Sequence, residues 1–306
     1  MRLSRYILGF VLLSALFITG CGEDGETTTA ESPYTGGNKG IVAEFEPFGI
    51  VEDGVYTIYR DETFPIQILL KNKGEEDISP GDIEVELKGI FLGDFSGITA
   101  EELSNDDEVE GISDVNPDGG EEIINFGSDV QYTPEIKGDF VPLDILATYT
   151  YRYKTKTSVP KACFVEDFRD TDFCDVDEKK TAYSSAAPIQ VESVTEQPAG
   201  AGRVSLAFDI TNVGGGSATL PGEEFNTRYD QISYKIVPST EADRWECTAA
   251  GREDSARFSG GEARIICKLE ESLEEGDKYT KEIVLEIDYD YRDVIQESLR
   301  VRSVVE

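Results

Sequence analysis

The body of this 306-residue chain is written twice. Phe64, Ile66, Ile68 and Leu70 alternate with Pro65, Gln67, Leu69 and Lys71, and an apolar period of two marks a half-buried strand. At an offset of 140 the pattern returns, with Val204, Leu206, Phe208 and Ile210 alternating with Ser205, Ala207, Asp209 and Thr211. Both runs end in a turn, Asn72-Lys73-Gly74 and Asn212-Val213-Gly214, whose Asn and Gly tolerate positive φ. Pro80-Gly81 recurs as Pro221-Gly222, and Ile83, Val85, Leu87 as Ile232, Tyr234, Ile236. There the offset has grown to 149, so the second repeat carries a longer loop around Glu223–Asp230. Gly119-Gly120-Glu121 recurs as Gly260-Gly261-Glu262; Ile145, Ala147, Tyr149, Tyr151 and Arg152 recur at 140 as Leu285, Ile287, Tyr289, Tyr291 and Arg292.

Neither repeat contains an amphipathic helix of normal length, and turn signals space the strands, which is the pattern of an antiparallel β-sandwich. The expected fold is all-β: two tandem antiparallel immunoglobulin-like β-sandwiches after a lipoprotein signal peptide and a flexible tether. The expected boundaries are 1–20 for the signal peptide, 21–40 for the tether, 41–187 for the first sandwich with its extension, and 188–306 for the second. Residues 41–60 supply the first strands of repeat one, and Ile189 and Val191 open repeat two. Pro160–Ala187 reads as a stapled extension between them, which predicts a semi-rigid rod. The strand into Asn-x-Gly, the later Gly-Glu turn and the final alternating strand resemble the CARDB-type and related immunoglobulin-like domains of prokaryotic surface proteins, over residues 62–158 and 202–303. That resemblance implies adhesion, spacing and protein assembly rather than catalysis.

The chain opens with Met-Arg-Leu-Ser-Arg, an apolar run from Tyr6 to Ile18, then Thr19-Gly20-Cys21. This is a charged n-region, an h-region and a small-residue cleavage site, and the run is too short to span a bilayer as a mature helix. Ile18-Thr19-Gly20-Cys21 resembles the lipobox of prokaryotic lipoproteins, which implies lipidation of Cys21 and an anchor on the extracytoplasmic face of the cell membrane. Gly22–Gly40 is rich in Gly, Thr, Ser and Glu, a composition that cannot bury enough surface to fold. As a random tether it would reach about 25 Å.

Charge and missing residue types narrow the function. Against 62 acidic residues stand 28 basic ones, a net charge of −34 that removal of Arg2 and Arg5 with the leader takes further. Such a field opposes nucleic acid as a partner. The chain has no histidine, which excludes Ser-His-Asp and Cys-His nucleophilic sites and His-ligated metals. No Walker loop or dinucleotide fingerprint occurs. A carboxylate-only enzyme such as a glycan hydrolase stays open, and the expectation is that the chain is not an enzyme.

Besides Cys21 there are Cys163, Cys174, Cys247 and Cys267. An even count behind an export signal reads as disulfides, with three connectivities open. The pairs fall in different parts of the chain, so Cys163–Cys174 and Cys247–Cys267 are expected. Asp114-Val115-Asn116-Pro117-Asp118-Gly119 matches the first half of a calcium loop, with Glu122 at the ninth position. Asn125 stands where the bidentate Glu belongs. Asp114, Asn116, Asp118 and Glu122 are the candidate calcium ligands, and no other cofactor is expected. Asp170, Asp172, Asp175 and Asp177 form a second acidic cluster around Cys174. Tyr149, Tyr151 and Tyr153 continue the apolar face of Leu143, Ile145 and Ala147 and read as core. Arg152, Lys154 and Lys156 on the other face form the one basic stripe, read as cross-strand pairing or as a docking patch. The expectation is a non-catalytic lipoprotein presenting two immunoglobulin-like domains to an envelope protein or glycan. The alternative is a filament or envelope subunit assembled by β-strand addition.

Overall fold

The alternating runs are strands. In repeat one they are β1 (Ile41–Phe45), β2 (Phe64–Asn72), β3 (Ile83–Lys88), β4 (Glu121–Tyr132) and β5 (Phe140–Val165). In repeat two they are β6 (Ile189–Pro198), β7 (Val204–Asn212), β8 (Gln231–Val237), β9 (Glu262–Leu269) and β10 (Lys278–Arg302). The computed structural model describes residues 31–226 and 228–303; the expected leader and Cys21 lie outside them. Among the described residues the helical turns are Leu92–Asp94 and Ser239–Ala242. The protein is all-β, and its strands pair antiparallel except where Val55–Tyr59 runs parallel to β10.

Two sheets each belong to one repeat. The first has the order β1, β2, β4, Phe95–Ser96; the second has Glu178–Lys180, β6, β7, β9, Trp245–Ala249, Arg252–Glu253. The third sheet is ten-stranded and shared, and along its main path the order is Ser255–Arg257, β8, β10, β5, β3, Glu102–Ser104. Its spine is β5 against β10, which pair from Lys278 opposite Val165 to Arg302 opposite Phe140 with one irregularity between Lys281 and Ile283. The β-branched and aromatic residues of Tyr149–Thr157 suit such a long pleated strand. The expected end-to-end rod is therefore replaced by a side-by-side pair of repeats. Each long strand covers the other's edge, which would otherwise be an aggregation template. One contiguous core runs through both repeats, including Ile66, Ile68 and Leu70 of β2 and Phe208 and Ile210 of β7.

The repeated Asn-x-Gly turn has a specific partner. The Tyr153 hydroxyl donates to Asn72 Oδ1 at 3.2 Å and accepts from Glu76 N at 3.2 Å. In repeat two, Tyr291 donates to Asn212 Oδ1 and accepts from Gly216 N, both at 3.0 Å. Each Asn also accepts from the glycine two residues on and donates through Nδ2 to the carbonyl four residues on. So Tyr153 corresponds to Tyr291, not Tyr151 as the 140 offset suggests; in the last strand the true offset is 138. A slip of two keeps every side chain on its own face, so alternation alone cannot detect it. In this alignment Arg152 and Asp290 are equivalent positions, and they pair directly. A pseudo-twofold axis thus passes through that pair, relating Tyr151 and Tyr153 to Tyr289 and Tyr291.

The expected tether also shortens. Residues from Ser32 onward belong to the compact unit. Glu75 accepts the amides of Thr35 and Gly36 at 2.8 and 3.0 Å, and Lys73 N donates to Gly40 O at 2.9 Å. Hydrogen bonding to one carboxylate holds a segment that has almost no apolar residue to bury.

Gly74 and Gly214 are dictated by the tyrosines: a Cβ at either would overlap the Tyr153 or Tyr291 hydroxyl. Gly215, whose Cβ would first meet Asp293 Oδ2 at 3.6 Å, is not so constrained. Gly74→Ala and Gly214→Ala should each cost about 2 kcal/mol or more by overpacking, lowering the melting temperature by about 5 °C. Gly215→Ala should leave it nearly unchanged. A thermal melt of the three variants checks this.

Candidate functional site

The outer face of the shared sheet carries the basic stripe. Arg152, Lys154 and Lys156 of β5 stand opposite Asp290, Asp288 and Glu286 of β10, three successive pairs of opposite charge. Arg152 Nε lies 3.0 Å from Asp290 Oδ1, and Lys235 of β8 lies 2.8 Å from Glu286. Lys154 and Lys156 reach Glu76 at 3.4 and 3.7 Å. The hydrogen bond from Arg152 to Asp290 raises the guanidinium's pKa. Burial pushes the Glu286 carboxyl up, but the Lys235 hydrogen bond and the charges of Lys235, Lys154 and Lys156 outweigh it and leave the group lowered. Asp288 is raised, by burial and then by the charge of Glu286. The ladder is half exposed, with Arg152 at 49 % and Lys235 at 57 % side-chain accessibility. Each such exposed pair contributes little, about 0–1 kcal/mol; together they discriminate the native register from a slipped one.

The longer loop of repeat two lies on this face. Gly222 N donates to Asp290 Oδ2 at 2.6 Å, and the Arg292 guanidinium stacks over Phe225 at 4.2 Å. Repeat insertions commonly mark a binding face. Here the insertion lies beside Arg152 and makes the two halves of an otherwise pseudo-symmetric surface different.

The calcium candidates are not gathered around one point. Glu122 accepts the amides of Asp106 and Asp107 at 2.7 and 3.4 Å, which commits it to a neighbouring turn. Asn116 bonds Glu110 through Nδ2 and closes a tight turn with Ser113. Lys73 Nζ donates to the Asp118 carbonyl at 2.7 Å. A Cβ on Gly119 (φ +71°) would collide with the Asn72 carbonyl, so this glycine lets the loop close on β2. Among the described residues no group of three or more His, Cys, Asp or Glu side chains is placed to hold a metal ion. Around Cys174, Asp170 pairs with Lys278 and Asp175 caps the amide of Asp177. Asp114 and Lys156 both line a cleft of about 430 Å³ bordered by Tyr34 and Glu75.

Both local disulfides, Cys163–Cys174 and Cys247–Cys267, are formed. Beside the first lies a buried ion pair that sequence patterning does not announce. Glu196 is fully buried, accepts the Cys163 amide on both oxygens at 3.0 Å, and meets Lys180 Nζ at 2.9 Å. Lys180 also reaches Glu178 and the Asp175 carbonyl. The pair pins the 160–187 segment to β6. Its signal was a lysine and a glutamate 16 apart in a chain with 62 acidic residues, which is no signal.

No family model matches the chain, and no curated protein matches its sequence.

Burial pushes the Glu196 carboxyl up to about 7, against the pull of Lys180 and the Cys163 amide. The folded state therefore holds this proton more tightly than the unfolded chain, whose glutamate titrates near 4.5. The stability it contributes is full below pH 4.5 and is lost as pH rises through 7, at up to about 1.4 kcal/mol per pH unit. The stability of the native protein relative to Glu196→Gln should thus be greater at pH 5 than at pH 7.5; urea melts at the two values measure it, and a constant difference refutes it. Because no acidic cluster among the described residues is arranged for a metal, EDTA should leave the melting temperature unchanged.

Proposed function

We propose that this is a non-catalytic, lipid-anchored cell-surface lipoprotein whose β-sandwich body presents a binding surface to an envelope protein or glycan. The observation that carries the reading is the open outer face of the shared sheet. It is solvent-facing, its charges are balanced within a strongly acidic molecule, and the one long insertion of repeat two borders it. The two disulfides support an exported, oxidising setting. The lipobox-like Ile18–Cys21 supports the anchor. The filament reading needs a long free strand edge. The sheets end instead in strands of two to five residues, such as Phe95–Ser96, Glu102–Ser104, Ser255–Arg257 and β1.

The native protein extracted from its own membrane should begin at Cys21, carry the added mass of acyl chains and partition into the detergent phase. Cys21→Ser should move it to the aqueous phase with its melting temperature unchanged. An unacylated native chain in the aqueous phase would sink the anchor.

A further inference from the structure

Beyond its paired rungs, the outer face of the shared sheet carries two arginines that the chain's own carboxylates leave unpaired. Ser255–Arg257 is the edge strand beside β8, and Arg257 stands opposite Gln231. Two residues on, Ser233 stands opposite Asp288, so Arg257 shares the face of Asp288, Asp290 and Arg292. The insertion of repeat two lies over this corner. Thr219, opposite Asp290, is fully buried there and donates to the Glu224 carbonyl at 3.2 Å. Each aromatic ring of the insertion meets an arginine: Arg257 lies over Tyr229 at 4.1 Å and Arg292 over Phe225 at 4.2 Å. Among the described residues neither arginine forms an ion pair, although acidic residues outnumber basic ones 62 to 28. The carboxylates at hand are committed elsewhere. Asp230 accepts from Asn212 Nδ2 at 2.9 Å and from the Ala218 amide at 3.2 Å, and Asp290 holds Arg152 and the Gly222 amide. Stacking occupies a flat face of a guanidinium and leaves its N–H edge able to fork onto a carboxylate. Of those donors Arg257 commits Nε to Gln231 at 3.3 Å, and Arg292 commits none within the described residues.

We infer that Arg257 and Arg292, with Tyr229 and Phe225, form a binding surface for a glycan that carries carboxylate groups at intervals, an inference that rests on the glycan branch of the proposed function. Two forked donors call for carboxylates. Their strands, Ser255–Arg257 and β10, are separated by β8, about 10 Å at ordinary strand spacing, which suits an extended oligomer better than one small anion. A densely charged partner, such as a run of acidic residues, is repelled by a molecule of net charge −34. A chain in which acidic sugars alternate with neutral ones meets less repulsion, and least on the face where the rungs cancel. Its apolar C–H surfaces match the aromatic side chains beside the arginines.

The test uses the full-length protein in detergent and isothermal titration calorimetry. The probes are a tetrasaccharide of alternating glucuronate and N-acetylglucosamine, its methyl ester, and a hexapeptide of glutamate. The acid should bind and the ester should not. Arg257→Gln and Arg292→Gln should each raise Kd about tenfold. Arg292→Lys, which keeps the charge and loses the fork, should weaken binding similarly. Lys268→Gln removes the same charge from an exposed position on β9 in another sheet and should leave Kd unchanged. No binding of the acid, equal binding of the ester, or equal effects of Lys268→Gln and the arginine variants overturns the site; tighter binding of the peptide overturns the glycan. Retention of the chain by an envelope fraction, measured in parallel, separates the two readings. Retention that the double variant Arg257→Gln/Arg292→Gln leaves intact keeps the broader function and removes this surface from it; no retention and no binding removes both.

Discussion

The pairing of β5 with β10 is the constraint on which the rest depends. Two strands of 26 and 25 residues run antiparallel along almost their full length. Either one alone would expose a backbone edge far longer than a soluble protein tolerates. Once paired, they fix the position of every other element: β3 and β8 add outside them, and the layers built on β2 and β7 contribute to a core shared by both repeats. The duplicated Asn-x-Gly turn locks each of those layers to the spine, because Asn72 and Asn212 each receive a tyrosine hydroxyl from it. The turn, the glycine and the tyrosine therefore have to be duplicated together.

The strands and turns were legible because their period and turn chemistry are local properties. The all-β class, the corresponding strands of the two repeats and the local disulfides followed from residues close in sequence. What was not legible is pairing at long range. Nothing in the alternation of Phe140–Val165 says that its neighbour is Lys278–Arg302. The Tyr-x-Tyr-x-Tyr run disguised a two-residue shift, since Tyr149, Tyr151 and Tyr153 all face inward and differ only in partner. The calcium-like loop is a related case. Its acidic spacing is a chain property, but the destinations of Glu122 and Asn116 are set by Asp106 and Glu110. The docked Ser32–Gly40 segment escaped because one carboxylate, Glu75, does what apolar burial usually does.

The charge distribution separates the molecule's bulk from the outer face of the shared sheet. A net charge of −34 acts at long range and sets solubility and the sign of unwelcome partners. The rungs of Arg152, Lys154 and Lys156 with Asp290, Asp288 and Glu286 act within a few ångströms and cancel one another. Exposed pairs of this kind add little stability; their effect is to make one face locally neutral where the rest repels anions.

That local neutrality bears on the kind of partner this body can hold. A basic partner would be drawn to any part of an acidic surface and would gain no specificity from the seam. A neutral ligand feels no long-range attraction, so its recognition depends on shape and on directed hydroxyls. One such feature lies where the repeats differ: the insertion meets Asp290 on the outer face.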